Sequence, residues 1–205
     1  MLEWIQKHFN TLHYLQINTL ITDKNGNKLL IDEGFESYIA IVKSIRNWHS
    51  KVMFIGNGGS AGIASHLAID YSKNGRLPAM VFSDISAATC LSNDYGYEYV
   101  FAKQIQFHGQ KQDVLVAISS SGSSLNILRA VTAARSIGCQ VITFSGFDID
   151  NPLRQLGDLN FYIDSKEYGF VEVAHMSLGH ALLDYIVNDQ NAAMAESDRM
   201  RAASN

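Results

Sequence analysis

From Lys51 onward the chain alternates short apolar runs with amphipathic segments of helical period, a pattern that few folds accommodate. Val52–Ile55, Ala79–Phe82, Val114–Ile118, Val141–Phe144 and Leu159–Ile163 read as buried strands, and 60–72, 97–108, 124–137 and 171–188 as helices. Strands and helices in alternation predict a parallel sheet of five strands, covered on both faces through right-handed crossovers. The fold class is therefore α/β, a three-layer α/β/α sandwich. Ligands of such sheets sit beyond the carboxyl ends of the strands.

A helical preface comes first. Residues 1 to about 21 place Leu2, Ile5, Phe9, Leu12, Leu15, Ile17 and Leu20 at roughly helical spacing, and the polar stretch 22–28 reads as a turn. A second helix is expected from Ile31 to about Trp48, with Phe35, Tyr38, Ile39, Ile41, Val42 and Ile45 on its apolar side. Both helices have packing material and no chemistry. With no linker, repeat or low-complexity stretch, the expectation is one domain over 1–205: helices for packing or oligomerisation in 1–48, an α/β core in 49–188, and a polar tail in 189–205 that extends the last helix.

Two strand-to-helix turns carry the chemistry. The run ending at Ile118 stops at Ser119-Ser120-Ser121-Gly122-Ser123-Ser124, and helical period resumes at Leu125. Such a turn presents hydroxyls and uncommitted backbone N–H groups at a helix N-terminus, where the positive end of the dipole favours an anion, here a phosphate. The run ending at Ile55 leads into Gly56-Asn57-Gly58-Gly59-Ser60-Ala61-Gly62, which fits neither a P-loop nor Gly-x-Gly-x-x-Gly. Its glycines allow close backbone approach, while Asn57 and Ser60 add side-chain hydrogen bonds. Such a turn can also be merely tight. Two of them in parallel suggest that one holds the sugar chain and the other its phosphate.

Composition removes other classes. A formal charge of -4 gives no support to a nucleic-acid face, and two cysteines make neither a disulfide framework nor a thiolate cluster. No apolar run approaches the ~18 to 20 residues that cross a bilayer, and Met1–Gln6 does not open a signal peptide, so the expected compartment is the cytoplasm.

Gly56-Asn57-Gly58-Gly59-Ser60-Ala61, Ser92-Asn93-Asp94-Tyr95-Gly96 and Ile118–Ser124 together resemble the sugar isomerase (SIS) fold, which is flavodoxin-like. Their order and spacing are similar to the sedoheptulose-7-phosphate (phosphoheptose) isomerases over about residues 30 to 188. The resemblance implies an aldose-ketose isomerase, a homotetramer with sites at subunit interfaces, and a product used for heptose and surface polysaccharide. The alternative is a non-catalytic SIS module that binds a phosphosugar or a protein partner. By match to the family, the sugar phosphate is bound by Asn57, Gly58, Gly59, Ser60, Asp94, Ser119, Ser120, Ser121 and Ser124. Asp94 reads equally as an ordinary Asx-turn.

His66 and Asp70 lie four apart on one helix face, a spacing that serves a metal and equally a surface hydrogen bond. The resemblance implies zinc, one ion per subunit, on His66, Asp70, Glu172 and His180, with Asp70 as base and His180 as its acid/base partner. Two positions depart from the family: Asp70 is a methylene shorter than the usual Glu, and Glu172 replaces a neutral Gln. The shorter reach makes Glu172 a second candidate for the base. Eight residues of straight helix set Glu172 and His180 ~12 Å apart with directions ~80° apart. Their convergence on one ion therefore requires Glu172 to precede the helix, or a second subunit to contribute. His175 reads as structural.

Overall fold

The computed structural model describes residues 1–46 and 50–203, so Trp48, the expected end of the second helix, lies outside the described residues. One sheet runs through the molecule, built from β1 (Leu20–Asp23), β2 (Lys28–Leu29), β3 (Val52–Gly56), β4 (Ala79–Val81), β5 (Val114–Ser119), β6 (Gln140–Ser145) and β7 (Leu159–Tyr162). Its order is β2-β1-β7-β6-β5-β3-β4. The five expected strands form the parallel part, β4 through β7. Counted among themselves they run 2-1-3-4-5, the flavodoxin-like doubly wound order. From β4 at the edge the chain crosses back to the far side of β3, so the switch point of the sheet lies between β3 and β5. A ligand crevice belongs there.

Seven strands among the described residues, rather than five, is a correction at the N-terminal side. The polar stretch 22–28 does turn the chain, but it joins two antiparallel strands, β1 and β2, and β1 pairs antiparallel with β7. The Asp23 carboxylate accepts the N–H groups of Asn25 at 2.8 Å and Asn27 at 2.9 Å, which closes the turn without a helix. Ile21, buried under α2 (Ile31–Lys43), anchors the hairpin to the main core.

Alternation along each strand divides the core in two. Val52, Phe54, Val114, Val116 and Ile118 face α2, α3 (Gly59–Lys73) and α7 (Tyr168–Ala203). Met53, Ile55, Leu115 and Ala117 face α5 (Val100–His108) and α6 (Leu125–Ile137). Both sets are fully buried, and each Val, Leu, Ile, Met or Phe side chain so removed from water contributes roughly 1.5–3 kcal/mol. This makes the three layers.

Three helical segments differ from expectation. α4 (Ile85–Tyr95) lies where no helix was foreseen, and its N-cap Asp84 accepts the Ala87 N–H at 2.8 Å. The expected helix 97–108 opens as a 3-10 turn over Tyr97–Tyr99 before α5 begins. α7 begins at Tyr168 rather than at 171, and it continues through most of the polar tail as expected, 36 residues in all. The first helix, α1 (Leu2–Ile17), buries only Leu15. Among the described residues no helix is long and apolar enough to cross a membrane.

Candidate active site

The serine loop joins β5 to α6 at the carboxyl end of the sheet. Ser119 ends the strand with its hydroxyl turned back to accept the Gly122 N–H at 3.2 Å. Ser121 Oγ accepts from the Ser123 hydroxyl at 3.2 Å. Ser124 is the N-cap of α6, yet its hydroxyl forms no capping bond. The Ile127 N–H of this helix start is taken by Asn126 Oδ1, which leaves the Leu125 and Asn126 N–H groups as the donors suited to an anion. Ser120 is buried, and its hydroxyl has no partner among the described residues. Behind the loop, Gly146 N–H donates to Ser120 O and Leu153 N–H to Gly122 O, both at 3.0 Å.

The glycine-rich turn after β3 starts α3 with Gly58 as N-cap. Its Gly58 and Gly59 are exposed, Ser60 is buried and Asn57 half-buried. A Cβ on Gly59 would come within 2.4 Å of the Glu172 carboxyl group, so the space a side chain would occupy is filled by that acid. The close approach expected of this turn is made, in part, by the chain's own Glu172. A carboxylate there faces the positive end of α3.

His66, Asp70 and His180 come together from α3 and α7. His66 Nε2 lies 3.2 Å and His180 Nδ1 3.9 Å from Asp70 Oδ2. One ligating atom from each of the three falls within 4.8 Å of the others. Four-coordinate ions bound at ~2.1 Å hold neighbouring ligand atoms roughly 3.4 Å apart, so small side-chain movements bring this set onto a metal ion. Two imidazoles and one carboxylate leave a position open for substrate. The crossing of the helices makes this possible: a Cβ on Gly179 would lie 2.5 Å from Leu67 Cδ1, and each of those residues is the chain neighbour of a histidine in the cluster.

Glu172, expected as the fourth ligand, stands outside this group. It lies within α7 rather than before it, so the first condition for its convergence with His180 is not met within one chain. Asp94 occupies the last turn of α4, exposed, its Oδ1 accepting from Asn93 Nδ2 at 3.0 Å; it forms a helix end rather than an Asx-turn. His175 is buried against Phe144, and its Nε2–H donates to Ser145 O at 3.1 Å. Burial pushes its pKa down to about 4, so the ring is neutral at pH 7.

Sequence reasoning missed three residues around the site. Asn126 pairs with Asn57, and Tyr97 donates to Asn57 at 2.9 Å. Asn151, buried behind the serine loop, donates to Ser145 Oγ, Gly146 O and Asp148 O. An asparagine just inside a helix start was the visible signal for Asn126; nothing local marked the other two.

Residues 35–146, more than half of the chain, match the SIS domain family. A phosphoheptose isomerase from Nitratiruptor is 36% identical over 184 residues, which is 85% of this chain and 97% of that protein. The phosphoheptose isomerase structure from Neisseria gonorrhoeae superposes with a TM-score of 0.74 at 30% identity, covering 90% of this chain and 97% of that one. The one from Francisella tularensis gives 0.77 at 26% identity, covering 92% and 98%. The chain belongs to the SIS domain family and, within it, to the phosphoheptose isomerases.

Proposed function

We propose that this protein interconverts sedoheptulose 7-phosphate and D-glycero-D-manno-heptose 7-phosphate, ketose and aldose, through an enediolate. The observation that carries the reading is the convergence of His66, Asp70 and His180 in a chain whose serine loop, at the carboxyl end of the sheet, suits a phosphate. A module that only binds has no use for such a cluster.

The serine loop and the α6 N-terminus anchor the phosphate, with Ser119, Ser121 and Ser124 as main contacts and Ser120 in support. Asn57, Gly58, Gly59, Ser60 and Asp94 hold the sugar chain. His66, Asp70 and His180 hold zinc, whose chemistry when bound is to polarise the sugar carbonyl. With Asp70 committed between two imidazoles, Glu172 is the carboxylate left outside the cluster, and we assign it as base. It takes the proton from C1 of the ketose, the C1–C2 enediolate forms, and a proton is returned to C2 while the C1 oxygen becomes the aldehyde. Glu172 and His180 lie ~12 Å apart along α7, so His180 serves as its acid/base partner, moving the proton between the two oxygens, where a second subunit contributes one of the two.

One SIS domain over 1–205, a homotetramer in the cytoplasm and a product destined for surface polysaccharide complete the proposal; membership of the phosphoheptose isomerases supports them. The test is turnover of sedoheptulose 7-phosphate together with zinc by elemental analysis. About one zinc per chain with turnover is expected. A metal-free, inactive protein that still binds the sugar phosphate overturns the reading in favour of a binding module.

A further inference from the structure

Backbone pairing between β3 and β5 ends at Gly56↔Ile118, and both ligand loops begin there. Past that point the connection continues through side chains. Asn57 Nδ2 donates to Asn126 Oδ1 at 2.9 Å, and Asn126 Nδ2 donates back to Asn57 Oδ1 at 2.9 Å. The Tyr97 hydroxyl donates to the same Asn57 Oδ1, also at 2.9 Å. One backbone group orients the whole set: Ile127 N–H can only donate, and it lies 3.0 Å from Asn126 Oδ1. That atom is therefore an oxygen, and the reciprocal pair then fixes the Asn57 amide as well. Asn126 is 3% exposed, so loss of Asn57 leaves its Nδ2 without that acceptor in a shielded place.

We infer that Asn126 is a positioning residue of this site. Through the amide pair it holds the Asn57 loop and the serine loop in one fixed relation. Tyr97 adds the segment that follows Asp94, so one network ties together three segments that meet the substrate. The network also limits what Asn57 does. Both lone pairs of its Oδ1 are taken and one N–H is used, so a single N–H remains to meet an acceptor oxygen of the sugar phosphate. Asn57 gives to the ligand and accepts nothing from it.

The substrate in this inference rests on the sugar-phosphate reading above, whereas the coupling of the loops does not, and the two are measured separately. Hydrogen exchange read by mass spectrometry is compared for peptides over 56–62 and 119–127 in the parent protein, Asn57→Ala, Asn126→Ala and the double variant. Either single substitution is expected to speed exchange in both peptides by about tenfold, as loss of a buried hydrogen bond does, and the double variant to exchange no faster than the singles. Faster exchange only in the substituted loop, or a double effect equal to the product of the singles, overturns the inference. Tyr97, 59% exposed, permits a variant without risk to folding. Tyr97→Phe is expected to speed exchange at 56–62 while the melting temperature stays unchanged; parent-like exchange there removes Tyr97 from the network. Turnover by the parent protein decides the isomerase reading independently. With turnover present, Asn126→Ala raises KM for the sugar phosphate about tenfold and leaves kcat within about twofold, a split that loss of stability alone does not produce.

Discussion

The two ends of the site are built by opposite means. The proposed anion end is made of consecutive residues, 119–124, gathered in one turn because a strand stops and a helix starts. The cluster end is made of three side chains from two helices more than a hundred residues apart, brought together where Leu67 meets Gly179. One end depends on local backbone geometry and the other on helix packing. The first tolerates distant change and the second does not.

Glu172→Gln gives the largest expected effect. As base, its loss lowers kcat by roughly 10²- to 10⁴-fold while zinc content and phosphate binding persist. Asp70→Asn, by contrast, loses zinc and turnover together. Full activity in Glu172→Gln removes Glu172 as base and returns that role to Asp70.

His175 joins the two ends, since it sits on α7 and bonds Ser145 at the end of β6, next to the Gly146 that supports the serine loop. Its folded pKa of about 4 lies below the unfolded value of 6.5, so the unfolded chain binds the extra proton first. Stability is therefore complete above pH 6.5 and is lost as pH falls toward 4, by roughly 3 kcal/mol over that window. Urea unfolding at a series of pH values measures this, and His175→Gln is expected to flatten that part of the profile.

Gly179→Leu tests the cluster end directly. Crowding Leu67 forces α3 and α7 apart, costs about 1–3 kcal/mol of stability, and lowers zinc content, while inhibition by inorganic phosphate stays as it was. Loss of phosphate inhibition as well would erase the distinction between the ends. The smallest effect belongs to Ser124→Ala, which removes one hydroxyl: KM for the sugar phosphate rises several-fold, by about 1 kcal/mol, with kcat kept.

The same contrast governs how much was legible beforehand. The parallel strands announced themselves because each is a continuous apolar run buried on both faces, and the serine loop because its residues are contiguous. β1 and β2 were hidden, since four residues from Leu20 to Asp23 fit a helical and an alternating pattern equally well. α4 has few large apolar residues, and only its Asp84 cap was there to be read. At the site, the His66–Asp70 pair was visible from spacing on one helix. That His180 joins it while Glu172 stands against Gly59 depends on how α3 and α7 cross, which no spacing within α7 contains.

Both rims of the sheet end in short strands, two residues in β2 and three in β4. A rim that short offers a neighbouring chain almost no row of free N–H and C=O groups to continue. Copies of this chain are thus kept from growing into a shared sheet. A contact between copies would fall instead to side chains on helices, and α1, with Leu2, Trp4, Phe9 and Ile17 exposed, is one surface that could supply it.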